Sequence, residues 1–253
     1  MAAQPRHAIA IKRCGASEVT MTATGSCGFP DVFAAFRHPL VHFRGSLGAQ
    51  RKTRVAALGS SSTAGTNDIV AFPARIEQRL RKANFGCVID VLNRGVGGQE
   101  APEELSRFEC DVGAEQPSLV IWQVGTNAAY RVGVYSPDDV EAALRVGLGW
   151  LARMPVDVIV MDLQFTAAIV DDPKRLAFAE DMQRRIEKVT SAAGVNLFRR
   201  WDLMKGWRDA GIPLSAMDDA HGDRLHMSEC ATAKVSEVLA HAIMASPAPL
   251  ADR

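Results

Sequence analysis

Val55-Ala56-Ala57-Leu58-Gly59-Ser60-Ser61-Ser62-Thr63-Ala64-Gly65 joins four consecutive apolar residues to a loop of small hydroxyl residues. The apolar run shows no alternation with polar positions, so it reads as a strand buried on both faces and ended by Gly59. Downstream, Phe72, Ile76, Leu80 and Ala83 recur at helical spacing and Gly86 closes the segment. The pattern then repeats. Val88-Ile89-Asp90-Val91-Leu92 is a second strand, followed by a glycine-rich turn and a helical stretch from about Pro102 to Val112. Leu119-Val120-Ile121-Trp122-Gln123-Val124 is a third strand, ending at Gly125. Ser136-Pro137-Asp138-Asp139 opens a helix with a capping serine, proline in the first turn and acids at the positive end of the dipole. Val158-Ile159-Val160-Met161 is a fourth strand. A helix carrying Phe178, Met182, Ile186 and Val189 follows and stops at Gly194. Val195-Asn196-Leu197-Phe198 is a short fifth strand, and a last helix starts near Ser228. Strand and helix alternating five times predict an α/β fold: a three-layer α/β/α sandwich around a parallel sheet of about five strands. Such sheets bind ligands at the carboxyl ends of their strands, which directs attention to the loops after Leu58, Leu92, Val124 and Met161.

The 253 residues include 29 basic and 29 acidic side chains, so the formal net charge is zero. That balance gives no long-range attraction to nucleic acid or to an anionic membrane, and neither partner is expected. No apolar run is long enough to span a bilayer. Five scattered cysteines without a C-x-x-C pair suggest neither a zinc site nor a redox pair, and no disulfide framework is expected. Thr24-Gly25-Ser26-Cys27 resembles a lipoprotein cleavage site but lacks the apolar stretch and the usual leucine, so a cytoplasmic location is expected. Residues 1–50 show no clear periodicity outside Phe29–Phe36. They are expected to form an irregular arm of unknown role, either flexible or preceding a working start at Met21 or later, ahead of a catalytic domain over residues 51–253.

The strand ends exclude several chemistries. Between Gly59 and Gly65 stand five residues, and Thr66 follows, which does not fit a phosphate-binding loop. Gly59-Ser60-Ser61-Ser62-Thr63 is not the G-x-S-x-G elbow. Read alone, the serines are helix-capping residues. Asn93-Arg94-Gly95-Val96-Gly97-Gly98 is not a dinucleotide fingerprint; it is a tight turn or a backbone exposed to ligand. Asn127, after Gly125-Thr126, is a turn residue or a donor. Asp223-Arg224-Leu225-His226 places an acid three residues before a histidine, where it can fix the ring tautomer and free the other nitrogen to face a serine.

Taken in order, Gly59-x-Ser61-x-Thr63, Asn93-x-Gly95-x-x-Gly98, Gly125-x-Asn127 and Asp223-x-x-His226 resemble the blocks of the SGNH (GDSL-type) hydrolases, over about residues 54–245. The resemblance implies a flavodoxin-like α/β/α sandwich and hydrolysis of esters, thioesters or sugar O-acyl groups. It also implies Ser61 as nucleophile, His226 as general base and Asp223 as its orienter. The oxyanion hole would be the Ser61 and Gly98 N–H groups with the Asn127 side-chain amide. Such neutral donors are each worth about 10²–10³ in rate. No metal or cofactor is expected, and the partner would be a small ester or an acylated saccharide. The chain departs from the family in having Ser60 before the nucleophile and Ala128 after the asparagine, where acids are usual. The adjacent Ser60 and Ser62 compete with Ser61 for the nucleophile, and Asp218 and Asp219 with Asp223, though only Ser61 and Asp223 keep the family spacing. Transfer of the acyl group to a sugar hydroxyl, and a non-catalytic carbohydrate- or acyl-binding module with a degraded site, are the competing functions.

The remaining candidates are weaker. His38 and His42 have metal-ligand spacing, but Pro39 intervenes and no acid completes the set. His221 is a loop histidine or a substrate contact. Trp201, Met204 and Trp207 read first as core and second as pocket lining. Gln164-Phe165-Thr166 could wall the cleft, and Tyr130 and Arg131 could stand at its rim.

Overall fold

The structure is a computed structural model and describes residues 27–30, 34–49, 52–66, 68–219 and 222–248. Five parallel strands form one sheet: β1 (Lys52–Gly59), β2 (Val88–Gly95), β3 (Leu119–Gln123), β4 (Asp157–Met161) and β5 (Asn196–Phe198), in the order β2-β1-β3-β4-β5. That is the flavodoxin-like order, and it puts the switch of winding direction between β1 and β3. The central strands are apolar on both faces for a physical reason. Val55 and Ala57 of β1, Leu119 and Ile121 of β3, and Ile159 and Met161 of β4 join one core layer, while Ala56, Leu58, Val120, Trp122, Val158 and Val160 join the other.

Helix α1 (Val41–Ala49) runs ahead of β1, and α2 (Ser61–Ala64) is a single turn after it. Helix α3 (Phe72–Ala83) buries Phe72, Ile76 and Leu80, as the spacing predicts. The helical stretch expected over 102–112 is instead broken into α4 (Ala101–Leu105) and a π-type turn at Glu109–Gly113. Phe108, at the break, packs edge-on against Trp122 and Trp150. Then come α5 (Thr126–Tyr130), α6 (Pro137–Leu151), α7 (Ala167–Val170), α8 (Pro173–Ala193), α9 (Arg200–Asp209), α10 (Leu214–Met217) and α11 (Glu229–Met244). Ser136 caps α6 through the Asp138 N–H, and Asp172 caps α8 through the N–H groups of Lys174 and Arg175. The second strand also runs further than its apolar residues. Asn93, Arg94 and Gly95, read as turn, pair with Ala57, Leu58 and Gly59.

Two expectations about the N-terminal part are corrected. Within residues 1–50 the described part is not irregular: Phe29, Phe36, Leu40, Phe43 and Leu47 are buried in the core layer that holds α3, α9 and α11. Phe29 lies 4.6 Å from Trp207, and the Phe43 N–H donates to Asp157 at 2.9 Å. Residues 1–26, including the Met21 start, lie outside the described residues. The second correction is a disulfide between Cys27 and Cys230, whose Cα atoms are 5.7 Å apart across 203 residues of sequence. No local spacing could have signalled that pairing. Cys110 is free and exposed. Among the described residues no helix is long and apolar enough to cross a membrane.

Candidate active site

The site is built at the carboxyl ends of β1, β2 and β3. Gly59 ends β1 at φ 153°, and a Cβ there would come within 2.3 Å of Thr63 Oγ1 and 2.7 Å of Gln123 Oε1, so only glycine fits the turn. Beyond it Ser60 is buried, and α2 begins at Ser61. Gln123, the last residue of β3, accepts from the Ser60 N–H (3.1 Å), the Ser60 hydroxyl (3.1 Å) and the Thr63 hydroxyl (3.3 Å) through one oxygen. Ser62 donates instead to Gln164 Oε1 at 3.0 Å, and the Gln164 amide donates to the Leu225 carbonyl. The three consecutive serines therefore face three different partners, and only Ser61 faces a histidine.

His226 Nε2 is 2.8 Å from Ser61 Oγ, and its Nδ1 is 3.1 Å from Asp223 Oδ1. With Nδ1–H donating to the carboxylate, Nε2 is left as the acceptor for the serine hydroxyl. The same Asp223 oxygen accepts the N–H groups of Leu225 (2.9 Å) and His226 (3.3 Å), which folds the turn under the ring. Asp218 and Asp219 hold this loop without hydrogen-bonding the imidazole ring. Asp218 accepts the Ala167 N–H at 3.0 Å and pairs with Met227, and the Asp219 N–H donates to the His226 carbonyl at 2.8 Å. Burial pushes the Asp218 carboxyl up to about 6. His221 lies outside the described residues.

Gly98 and Asn127 come from the neighbouring loops. Gly98 has φ 81°, and its carbonyl accepts from Arg131 Nη1 (3.3 Å) and Tyr135 Oη (3.4 Å), leaving its N–H outside those bonds. Asn127 spends one amide hydrogen on the Gln99 carbonyl at 2.8 Å and keeps a second. Ser61 stands at the first turn of α2, whose leading N–H groups have no intrahelical acceptor.

Two side chains from neighbouring elements brace the loops that carry Ser60 and Ala128. Gln123 is the first. The second is Glu100, which caps α4 and accepts the N–H groups of Ala101 (3.0 Å), Gly125 (2.7 Å) and Ala128 (3.0 Å). The loop bearing Asn127 is thereby tied to the loop bearing Gly98. Burial raises the carboxyls of both Glu100 and its neighbour Glu104. Three N–H donors offset part of this for Glu100, whereas Glu104 accepts the Trp122 indole N–H at 2.7 Å and is raised further by the charge of Glu100 beside it. Neither brace was identified from the sequence. The available signals were a glutamine at the end of an otherwise apolar strand and an E-x-x-E start to α4, since a buried polar group needs partners.

Trp201, Met204 and Trp207 are all buried core residues of α9, in agreement with the first of their two readings. Trp201 also packs edge-on against Phe165 at 5.0 Å. Tyr130 is covered by the Arg175 guanidinium at 4.5 Å, while Arg131 is exposed. His38 and His42 assemble no metal set: among the described residues no group of three or more His, Cys, Asp or Glu side chains is placed to hold an ion.

Comparison with known proteins agrees with this architecture. Axe2, an acetylxylan esterase from Geobacillus stearothermophilus, superposes with a TM-score of 0.65 at 18% identity, covering 76% of this chain and 94% of Axe2. Variants of Axe2 with a serine, an aspartate or a histidine replaced by alanine are described as catalytic mutants. LAE5, an alpha/beta hydrolase enzyme from the metagenome of Lake Arreo, Spain, superposes at 0.64 with 15% identity, covering 78% of this chain and 97% of LAE5. No curated protein matches the chain by sequence. A family model does, across residues 26–248. Its description suits a chain that reads Gly59-Ser60-Ser61-Ser62 where the GDSL motif has an acid after the glycine. By that match the chain belongs to the Non-GDSL lipase-like family.

Proposed function

We propose that the protein is a serine esterase that hydrolyses small acyl esters, or acetyl groups on sugar hydroxyls, through an acyl-enzyme. The observation that carries this reading is the hydrogen-bonded series Ser61 Oγ, His226 Nε2, His226 Nδ1 and Asp223 Oδ1, at 2.8 Å and 3.1 Å. His226 takes the Ser61 proton as the hydroxyl attacks the ester carbonyl, and Asp223 stabilises the imidazolium that forms. The developing oxyanion is held by the N–H groups of Ser61 and Gly98 and by the free amide hydrogen of Asn127. His226 then protonates the leaving alcohol, and water repeats the sequence on the acyl-serine. Bracing by Gln123 and Glu100 supports a working site over a degraded binding module, because each keeps a donor loop in place. The acetylxylan esterase activity named for Axe2 supports acetylated sugars as the substrate class. The Cys27–Cys230 bridge favours an oxidising compartment over the cytoplasm expected from the sequence.

The test is release of 4-nitrophenol from 4-nitrophenyl acetate by the protein and by Ser61→Ala. The reading expects turnover that the variant loses by at least about 10³-fold with its circular dichroism spectrum intact. Equal rates in the two proteins would remove Ser61 from the chemistry.

A further inference from the structure

Arg131 directly follows α5, four residues after Asn127, and its guanidinium lies over the Cα of Gly98. A Cβ built on Gly98 would meet Arg131 Nη2 at 3.2 Å and Nη1 at 3.6 Å. Among the described residues, one of its five N–H donors is used, from Nη1 to the Gly98 carbonyl at 3.3 Å. The other arginines around the site are committed. Arg94 pairs with Glu115, Arg107 with Asp111 and Arg224 with Asp171, while Arg175 caps Tyr130 and donates to the Ala168 carbonyl. Arg200 is buried against the Asp162 carbonyl. Among the described residues Arg131 has no carboxylate partner.

The nearby acids are also occupied. Glu103 accepts the Glu100 N–H (3.1 Å) and the Tyr135 hydroxyl (3.1 Å), Glu100 accepts backbone N–H groups, and Asp223 serves His226. The result is an exposed, unpaired guanidinium against a residue of the oxyanion loop. Its planar fork is suited to bidentate pairing with a carboxylate.

We propose that Arg131 determines specificity by pairing with an anionic substituent on the substrate. The substrate class is then an ester carrying a carboxylate within about one sugar ring of the scissile carbonyl, such as an O-acetylated uronic acid. The proposal rests on the esterase reading and narrows it.

Two matched pairs of esters test it. Phenyl acetate against 3-acetoxybenzoate places the charge on the alcohol side, and 4-nitrophenyl butyrate against mono-4-nitrophenyl glutarate places it on the acyl side. The readout is the ratio of kcat/KM for the anionic ester to that for its neutral partner, which cancels any difference in active enzyme concentration. The wild type is expected to favour the anion in at least one pair. Arg131→Gln should lower that ratio about tenfold or more, chiefly through KM, and Arg131→Lys should restore part of it, as for loss of a charge-assisted hydrogen bond. Rising salt should narrow the wild-type ratio and leave that of Arg131→Gln flat. An active enzyme whose ratio is the same in wild type and Arg131→Gln for both pairs overturns the proposal and leaves the esterase reading standing. A wild type inert to all four esters overturns both.

Discussion

Glu100 accepts the backbone N–H of Ala128 at 3.0 Å, so an acid from the loop after β2 braces the loop after β3. The same carboxylate takes the Gly125 N–H at 2.7 Å on the other side of Asn127. Glu100→Gln keeps the volume but turns an amide N–H₂ toward backbone donors. Loss of these buried hydrogen bonds should destabilise the fold by about 2–4 kcal/mol and lower kcat about tenfold or more. Urea melts and initial rates on folded protein check this. Wild-type kcat in a folded Glu100→Gln would mean that Asn127 is held by other contacts.

Gln123 does comparable work under the serine turn. Gln123→Leu would leave the Ser60 N–H, the Ser60 hydroxyl and the Thr63 hydroxyl without their shared acceptor in a buried setting. The expected loss is about 2–4 kcal/mol in thermal or denaturant stability, since unmade buried bonds cost more than made ones contribute. Gln123→Glu keeps an acceptor oxygen and should recover part of the loss. Equal melting of Gln123→Leu and wild type would contradict this role.

The Asp218 carboxyl titrates near 6 in the folded protein against its ordinary 3.8, because burial disfavours its charge. A carboxyl with a raised pKa favours the fold while protonated. Its contribution is fully present below 3.8 and is lost as pH rises through about 6. Asp218→Asn removes that dependence and keeps an acceptor for the Ala167 N–H. The variant should gain stability relative to wild type between about pH 4 and 7, by roughly 1–3 kcal/mol at the upper end. Parallel stability-versus-pH curves for the two proteins would show that Asp218 does not titrate in this range.

The Cys27–Cys230 bridge closes a loop of 203 residues and anchors the segment ahead of Phe29 to the first turn of α11, four residues after His226. Cys230→Ser should cost about 2–5 kcal/mol, the range for removal of a native disulfide. A melt under non-reducing conditions measures it, with unchanged stability contradicting the bridge.

The fold was legible where burial alone dictates sequence. The strands between helices are continuous apolar runs because both faces of a parallel sheet are covered, and their ends announced the loops that carry Ser61, Gly98 and Asn127. The Asp223-x-x-His226 spacing survived into geometry because a single turn spans it. Helix α1 was not legible. Phe36, Leu40, Phe43 and Leu47 do recur at helical intervals, but Pro39, Gly45 and Gly48 interrupt the local preference, and tertiary packing overrides them. Glu100 and Gln123 were missed for a different reason. Their partners are backbone and hydroxyl groups on other strands' loops, and a side chain's long-range acceptor role leaves no periodicity in the sequence.

The central claim is that Ser61 is the nucleophile, with Ser60 and Ser62 held aside by Gln123 and Gln164. Fluorophosphonate labelling followed by peptide mass spectrometry tests it directly. The account predicts a single adduct on Ser61, abolished in Ser61→Ala, present in Ser62→Ala and slowed in His226→Ala. An adduct on Ser60 or Ser62, or full labelling of Ser61→Ala, would contradict it.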